Sequence, residues 1–296
     1  MRRKRKRQQI NFWIFLLPAL FFYLIFSFLP TLGGIFYSFT DWTFLKSGFS
    51  FVGLQNYRKL FQGDAYFVEA LGRTIRFVLV MVLTQTTIGL LVAVLAEAAL
   101  KKLRNVFRAV LFTPYMISTI VGTFMWSFIF GQVLPQLAES SRFLGFLNQP
   151  WIGDPQAAFV SIVIVTLWHG VPLMMLIYLA GLNGIPGELV EAAVMDGAGG
   201  WQLFWHVKLP LIFQSITICM FMTMKDAFKS YEVIYALTGG GPGRSTQVLT
   251  LNIYEEAFSN YYQFGYASAK ACVFLVLVLT VTLCQVGLMK KKEVEV

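Results

Sequence analysis

The sequence predicts an all-α integral membrane protein with six transmembrane helices and both termini on the cytoplasmic side. Charged residues make up only 13% of the 296 residues, and the mean hydropathy is +0.64, whereas soluble domains carry about 25% charged residues. Long uncharged segments recur along the chain, and basic clusters flank them. These three observations together exclude an ordinary soluble domain.

Six segments are long and apolar enough to cross a membrane. A helix needs about 20 mostly apolar residues to cover the roughly 30 Å of hydrocarbon. The fifth segment is unusual, because it follows Lys208 and reaches full length only if Lys225, Asp226 and Lys229 lie at membrane depth. The other five are bounded by Arg7 and Asp41, Arg76 and Glu97, Arg108 and Glu139, Asp154 and Glu188, and Lys270 and Lys290.

The basic clusters predict the orientation, because Lys and Arg are enriched in short cytoplasmic loops. Six crossings bring three clusters to one side, namely Arg2, Arg3, Lys4, Arg5, Lys6 and Arg7, then Lys101, Lys102, Arg104 and Arg108, and finally Lys290, Lys291 and Lys292. The first segment is too long for a cleaved signal peptide, so we expect an uncleaved anchor. The predicted organisation is a cytoplasmic tail at residues 1–10, a transmembrane domain at residues 11–290 with a cytoplasmic loop at residues 182–210, and a second cytoplasmic tail at residues 291–296.

The stretch from Glu188 to Pro210 is the longest segment of mixed polarity in the chain. Apolar residues recur at helical spacing in its first half, and again in its second half up to Pro210. Gly197 separates the halves, where the missing Cβ permits a sharp bend. We predict two short helices joined by a glycine turn, and we call Glu188–Pro210 the elbow.

The residues of the elbow allow two interpretations. Ala192 and Ala193 are small and let another surface approach the backbone closely, while Glu191 and Asp196 add charges that can fix the helix in a partner's groove. The alternative is an amphipathic loop that rests on lipid headgroups. Periodicity alone does not decide between docking and headgroup contact.

The spacing inside the elbow resembles a known signature. It reads Glu191-Ala192-Ala193, three residues, Gly197, nine residues, and Val207-Lys208-Leu209-Pro210. This resembles the EAA motif of ATP-binding-cassette (ABC) importer permeases, in which EAA and a glycine precede I-x-L-P; only the valine departs from the motif. The stretches at residues 51–61, 167–186 and 235–258 resemble carbohydrate permeases of the maltose, multiple-sugar and glycerol-phosphate type, the last stretch being like the larger permease chain of the maltose system.

The resemblance implies how such a chain works. The elbow would be a coupling helix that sits in a cleft of a separate ATPase dimer, which binds ATP and Mg²⁺, while this chain carries no cofactor. The implied coupling residues are Glu188, Glu191, Ala192, Ala193, Asp196, Gly197, Leu209 and Pro210. The other implied partners are a second permease subunit, an extracytoplasmic solute-binding protein, membrane lipid and a carbohydrate substrate, and the implied location is the bacterial cytoplasmic (inner) membrane.

Charged residues at membrane depth are costly and usually face a cavity. The fifth span and the residues after it hold a group of such charged residues, with tyrosines nearby. Sugars bind through hydrogen bonds to their hydroxyls and by stacking on aromatic rings, and this group offers both. Trp168 and His169 interrupt the fourth span and are further candidates. The predicted substrate path is therefore lined by Lys225, Asp226, Lys229, Tyr231, Glu232, Trp168 and His169.

Structural roles are the alternative for each of these residues. The span-five charges could pair among themselves, Asp226 with Lys229 for example, or contact the second permease. His169 could be a hydrogen-bonded core residue, and Gln85 with its neighbouring threonines suits bonding between helices. Lys270 in the last span is a potential partner for Asp226 or Glu232, or it reaches the membrane interface.

The sequence lacks the motifs of several other function classes. No G-x-x-x-x-G-K-[ST], HExxH or G-x-S-x-G occurs, so we expect no enzyme, no catalytic residue and no metal site. The basic residues flank apolar runs, which argues against nucleic-acid binding. Cys219, Cys272 and Cys284 lie in apolar segments and suit inert packing. A stand-alone ion-coupled secondary transporter is the alternative function, although it leaves the elbow's spacing unexplained.

Overall fold

The computed structural model describes residues 2–45, 47–98, 104–140, 142–259 and 261–291, with only the backbone for residues 2–11, 104, 105 and 142. Lys101, Lys102, Lys292 and the rest of the predicted C-terminal tail after residue 291 lie outside the described residues. Within these ranges the chain is helical apart from its turns, and one isolated bridge joins Thr40 to Phe51. The helical architecture predicted from composition is confirmed.

The described residues form fifteen α-helices. They are α1 Arg2–Tyr23, α2 Leu29–Tyr37, α3 Gln55–Gly63, α4 Ala65–Ala98, α5 Arg104–Met116, α6 Thr119–Phe128, α7 Leu134–Ser140, α8 Pro155–Asn183, α9 Gly187–Met195, α10 Gly200–Leu203, α11 Leu209–Leu211, α12 Phe213–Phe228, α13 Glu232–Thr238, α14 Leu249–Tyr254 and α15 Phe264–Lys290. Wider π-helical turns continue several of them, at Leu24–Phe28, Ile129–Val133, Phe204–Lys208 and Glu255–Ser259, and a 3₁₀ turn follows α7 at Arg142–Leu147.

Five helical segments are each long and apolar enough to span a membrane. They are Phe12–Tyr37, Ala65–Ala98, Thr119–Ser140, Pro155–Asn183 and Phe264–Lys290. A sixth candidate is the pair Gly200–Leu211 and Phe213–Phe228, which is bent by 67° at the buried residue Ile212. The described helices therefore agree with the six predicted crossings when this bent pair counts as one span.

The third predicted span differs in detail from the uninterrupted segment expected between Arg108 and Glu139. Helix α5 ends at Met116, and Ser118 adopts an extended backbone (φ −53°, ψ 133°) before α6 begins. The short apolar stretch of α5 therefore forms a separate helix, and the span begins at Thr119. The spans were defined by their bounding charges, and no charged residue marks this break, which falls at Ser118 and Thr119.

The chain divides into two compact units, which are described separately. Unit 1 consists of Met1–Phe67 with Ile253–Val276, and unit 2 of Val68–Asn252 with Leu277–Val296. Lys270 is 1% exposed at the centre of an ion cluster in unit 1, with its Nζ 2.8 Å from Asp64 Oδ2 and 2.9 Å from Glu256 Oε2. Among the described residues, Lys270 therefore forms its ion pairs with these two carboxylates and not with the suggested Asp226 or Glu232.

Asp64 is held ionised by this cluster. Burial raises the pKa of Asp64, but hydrogen bonds from Lys270 Nζ, the Tyr266 hydroxyl and the Phe67 backbone amide more than offset that effect, so the pKa lies below its usual value. The Tyr266 hydroxyl donates to Asp64 Oδ2 at 2.7 Å. An ammonium in apolar surroundings needs such partners, because an unpaired buried charge is far more costly than a paired one.

Unit 2 is built around α8. Met174, Met175, Tyr178, Leu179 and Leu182 of this helix form a buried apolar cluster. Ala93 and Ala96 of α4, Ile212 at the bend before α12, and Cys219 of α12 complete it. Helices α4 and α8 approach so closely that a Cβ added to Gly89 would lie 2.6 Å from Met174 Cβ. Small residues at such crossings permit tight packing in a membrane, where apolar burial adds little between helices.

Candidate functional site

The elbow begins directly at the end of α8. Helix α9 opens at Gly187 after Pro186 and ends at Met195, with Asp196 as its C-terminal cap. Gly197 has φ +86°, a left-handed conformation that glycine adopts without strain. The backbone amides of Asp196, Gly197 and Ala198 then bond to carbonyls of the last turn at 3.0 Å each. The result is two helices joined by a tight glycine turn.

Most residues of helix α9 are exposed. Glu188, Glu191, Ala192 and Asp196 are exposed, and Ala193 is half-buried. Large apolar side chains are exposed as well, including Met195 at 86%. An isolated amphipathic helix of nine residues is marginal in water, so a surface this apolar needs a partner or a lipid contact.

The second half of the elbow is attached to α4. Lys208 Nζ lies 2.7 Å from Glu97 Oε1, and the two side chains are 21% and 27% exposed. Between α4 and the elbow lies an apolar groove of about 640 Å³ that is walled by Trp201 and Trp205. Leu209 is half-buried, and Pro210 does not end the helix as expected: α11 continues to Leu211, and the chain bends at Ile212.

A cavity of about 390 Å³ opens between α4, α8 and the segment that joins α12 to α13. It brings together five of the seven residues predicted to line a substrate path. These are His169, Asp226, Lys229, Tyr231 and Glu232. The cavity wall thus carries both signs of charge, a phenol and an imidazole, which suit hydrogen bonding and stacking.

Two predicted path residues do not line this cavity. Lys225 instead forms an ion pair with its neighbour Asp226 at 3.1 Å, and both side chains are well exposed, at 44% and 57%. Within the described residues no Asp226–Lys229 ion pair forms, contrary to the suggested pairing. Trp168 faces a separate apolar pocket and packs edge-on against Trp126 with ring centroids 5.9 Å apart.

His169 combines a structural contact with a place on the cavity wall. Its Nε2 lies 3.1 Å from the carbonyl oxygen of Ile117, at the break between α5 and α6. The ring of Tyr115 lies 5.5 Å away and also lines the cavity. The break in the third span therefore lets one histidine donate a hydrogen bond to the main-chain carbonyl of Ile117 and also face the open space.

Sequence reasoning missed several lining residues and gave Gln85 another role. Gln85 is buried, lines the cavity, and lies so near Gly170 that a Cβ there would be 2.6 Å from its Nε2. Tyr115 and Ser230 were not predicted. The signal available for Gln85 was a polar residue in mid-span, the same signal that identified Asp226.

Comparisons with known proteins decide the family. A family model described as "Binding-protein-dependent transport system inner membrane component" matches residues 85–293. The chain belongs to this family. It is therefore a multi-pass inner-membrane component of a binding-protein-dependent transport system, and its identification as a permease is confirmed.

Relatives of this permease align over nearly their whole length. The multiple sugar-binding transport system permease protein MsmF of Streptococcus mutans is 36% identical over 95% of this chain and 96% of its own. The probable starch degradation products transport system permease protein AmyD of Thermoanaerobacterium thermosulfurigenes is 34% identical, covering 97% and 96%. The trehalose/maltose transport system permease protein MalF of Thermococcus litoralis is 33% identical, covering 92% and 90%.

A solved structure shares the fold of this permease. A chain of a bacterial ABC transporter involved in the import of the acidic polysaccharide alginate superposes with a TM-score of 0.84, covering 97% of this chain and 98% of that one. The sequence identity is 19%, so this likeness shows the fold alone. The helical fold of this permease is thus shared with a chain of that ABC transporter.

Proposed function

We propose that this chain is one of two permease subunits of an ATP-driven importer for a sugar or sugar derivative. The observation that carries the proposal is the elbow: an exposed helix with the EAA spacing, held at the end of the central helix α8. The relatives that share its full length are named for multiple sugars, starch products and trehalose or maltose, which supports a carbohydrate substrate.

In this proposal the elbow lies on the cytoplasmic side, together with both termini. An ATPase dimer on a separate subunit binds ATP and Mg²⁺ and grips α9 in a cleft, where Glu188, Glu191, Ala192, Ala193 and Asp196 meet it. The small side chains allow close approach, and the exposed apolar residues lose contact with water. Hydrolysis therefore takes place on the partner, and this chain supplies no catalytic group.

Movement of the elbow would reach the spans through covalent and ionic connections. Helix α8 leads into α9, and α11 leads into α12, so both flanking spans follow the elbow directly. The Lys208–Glu97 pair adds α4 to the same moving group. Alternating access would then be a rigid-body motion of these helices relative to the second permease.

The cavity of Asp226, Lys229, Glu232, Tyr231 and His169 is the proposed half of the substrate path. The carboxylates accept hydrogen bonds from the hydroxyls of a sugar, and the ammonium donates hydrogen bonds to them. The aromatic rings offer faces for the apolar C–H side of the sugar. Charged side chains that are this exposed at the end of a span need contact with water, a substrate or a polar partner surface. An extracytoplasmic binding protein delivers the sugar from outside.

Co-purification and reconstitution test the proposal. The chain, expressed with its candidate second permease and ATPase, should form one complex, and a loaded binding protein should stimulate ATP hydrolysis when sugars are screened. Cysteine pairs placed on α9 and the ATPase should cross-link. Transport by this chain alone in liposomes, driven by an ion gradient, would instead establish a stand-alone secondary transporter and refute the importer.

A further inference from the structure

A second, smaller pocket of unit 2 has no part in the candidate path. It lies where α4, the start of α8 and the loop after α13 meet, and its volume is about 120 Å³. Its wall includes Arg73, Arg76, Gln156, Phe159 and Ser245. No residue of this wall belongs to the lining of the 390 Å³ cavity. We call it the Arg76 pocket.

Among the residues that the structure describes, the wall of the Arg76 pocket carries positive charge and no carboxylate. Arg73 forms an ion pair with Glu69 at 2.8 Å, one turn along α4. Asp154 accepts bonds from the amides of Gln156 and Ala157 as the cap of α8. The Arg76 guanidinium lies over the Phe159 ring, 4.5 Å from its centroid, and no carboxylate of the described residues comes within 4 Å of it. One cation in the wall therefore lacks a counter-charge.

The wall also holds a hydroxyl without a partner. Ser245 Oγ is buried and makes no hydrogen bond within the described part of the chain. Buried polar atoms are nearly always hydrogen-bonded, so such an exception calls for a physical reason. An acceptor oxygen that enters the pocket would supply the missing bond, and Arg76 lines the same wall.

The size of the pocket indicates what kind of group enters it. Small-molecule sites usually measure about 300–1,000 Å³, whereas an engineered cavity of about 150 Å³ holds a single benzene molecule. At about 120 Å³ the Arg76 pocket holds one side chain rather than a sugar. An arginine fork recognises a carboxylate through two parallel hydrogen bonds.

The position of the pocket indicates where that side chain comes from. Gln156 and Phe159 lie in the first turns of α8, and the elbow follows its last turn. Helix α8 has 29 residues, so its ends are about 43 Å apart at 1.5 Å per residue. The Arg76 pocket and the elbow are therefore on opposite sides of the membrane, and with the elbow inside, the pocket faces outward.

We propose that the Arg76 pocket is a docking site for an acidic side chain of the extracytoplasmic binding protein. The inference rests on the proposed function, which requires such a protein at the outer face. Arg76 forms a bidentate ion pair with the entering carboxylate, and Ser245 donates a further hydrogen bond to that carboxylate. The ring of Phe159, which lies under the guanidinium, holds it in its orientation.

The test uses the complete importer reconstituted in lipid nanodiscs. Substrate-loaded binding protein is titrated, and the concentration that gives half of the maximal ATPase stimulation is measured. Arg76→Gln should raise this concentration about tenfold and leave the maximal rate unchanged, because truncating one partner of an interfacial charge pair weakens binding without touching the chemistry. Arg58→Gln, which removes an exposed arginine on α3 that has no part in the pocket, is the matched control and should change nothing.

Two further variants separate docking from a merely structural role. Ser245→Asp places a carboxylate inside the pocket and should compete with the partner's acid, raising the half-stimulating concentration as Arg76→Gln does; Ser245→Asn should raise it much less. Added NaCl should weaken docking of the wild type more steeply than docking of Arg76→Gln, because the variant has lost one screened ion pair.

The outcomes distinguish this inference from the proposed function. An unchanged half-stimulating concentration in Arg76→Gln and Ser245→Asp, with normal stimulation of the wild type, overturns the docking site and leaves the importer intact. Acetate that inhibits the wild type while both variants keep normal docking would assign the pocket to a free anion and equally overturn it. A wild-type complex that no binding protein stimulates refutes the proposed function itself.

Discussion

The ion pair between Lys208 and Glu97 is predicted to transmit force from the elbow to α4. Lys208 belongs to the second half of the elbow and Glu97 to the last turn of α4, and their charged atoms lie 2.7 Å apart. We consider the single variants Lys208→Met and Glu97→Gln and the exchanged pair Lys208→Glu with Glu97→Lys. Each single variant removes the ionic link and preserves most of the side-chain volume.

The expected magnitude follows from burial. Fully exposed ion pairs contribute about 0.2–1 kcal/mol, whereas hydrogen bonds to charged groups contribute about 1.5–3 kcal/mol. The two side chains here are only 21% and 27% exposed, beside an apolar groove, so a value of about 1–2 kcal/mol is appropriate. A difference of that size changes the balance between coupled and uncoupled arrangements about 5- to 30-fold.

The assay compares sugar uptake with ATP hydrolysis in the reconstituted importer. Both single variants should hydrolyse ATP while the number of sugars transported per ATP falls at least about fivefold, and the exchanged pair should recover most of that loss. Lys290→Met, which removes an exposed lysine in the last turn of α15, is the control. Equal ratios in the single variants and the wild type, or an exchanged pair no better than the singles, would refute a transmitting role.

Three further predictions concern the elbow, the path and unit 1. Gly197→Ala should cost about 1–2 kcal/mol in the left-handed turn and reduce ATPase binding, whereas Gly187→Ala, which has equal space but an ordinary backbone, should not; isothermal titration with the ATPase checks both. Asp226→Asn should change the KM for uptake without affecting assembly, and Lys225→Met should change it less, because Lys225 acts only through its ion pair with Asp226; a KM of Asp226→Asn equal to that of the wild type would favour a purely structural charge pair. Because the native pKa of Asp64 is lowered, its stabilisation is present above about pH 4 and disappears as the pH falls through the native pKa; the unfolding temperature of the wild type should therefore fall more steeply below pH 4 than that of Asp64→Asn, and parallel curves would contradict this.

Composition and periodicity predicted the helical class and the number of spans because both depend on properties of short segments. Apolar runs of span length, basic flanks and a glycine between two amphipathic stretches are visible without tertiary information. The turn at Gly197 was predicted for the same reason: its positive φ is a local requirement that glycine meets.

Ion-pair partners could not be predicted in this way. Lys270 binds Asp64 and Glu256, which are 206 and 14 residues away, and no periodicity joins such positions. The pairing of Asp226 with Lys229, suggested as one structural alternative, does not form within the described residues, where Asp226 pairs with its neighbour Lys225. The break after Met116 lies in a segment without charged residues, so a search for runs bounded by charges passes over it.

The helices α4 and α8 connect every functional element proposed for unit 2. Both helices line the 390 Å³ cavity and the Arg76 pocket, and both connect to the elbow, α8 by its own chain and α4 through Glu97. A rigid pair of helices that touches three sites cannot respond to one of them alone. Coupling between sites is reciprocal, so if a bound nucleotide on the ATPase favours the arrangement that receives the binding protein, a docked binding protein must strengthen nucleotide binding by the same factor. The equality itself holds for any path of coupling. What the helix pair determines is the size of the coupling, and the close contact between Gly89 and Met174 is the feature that makes independent movement of α4 and α8 costly.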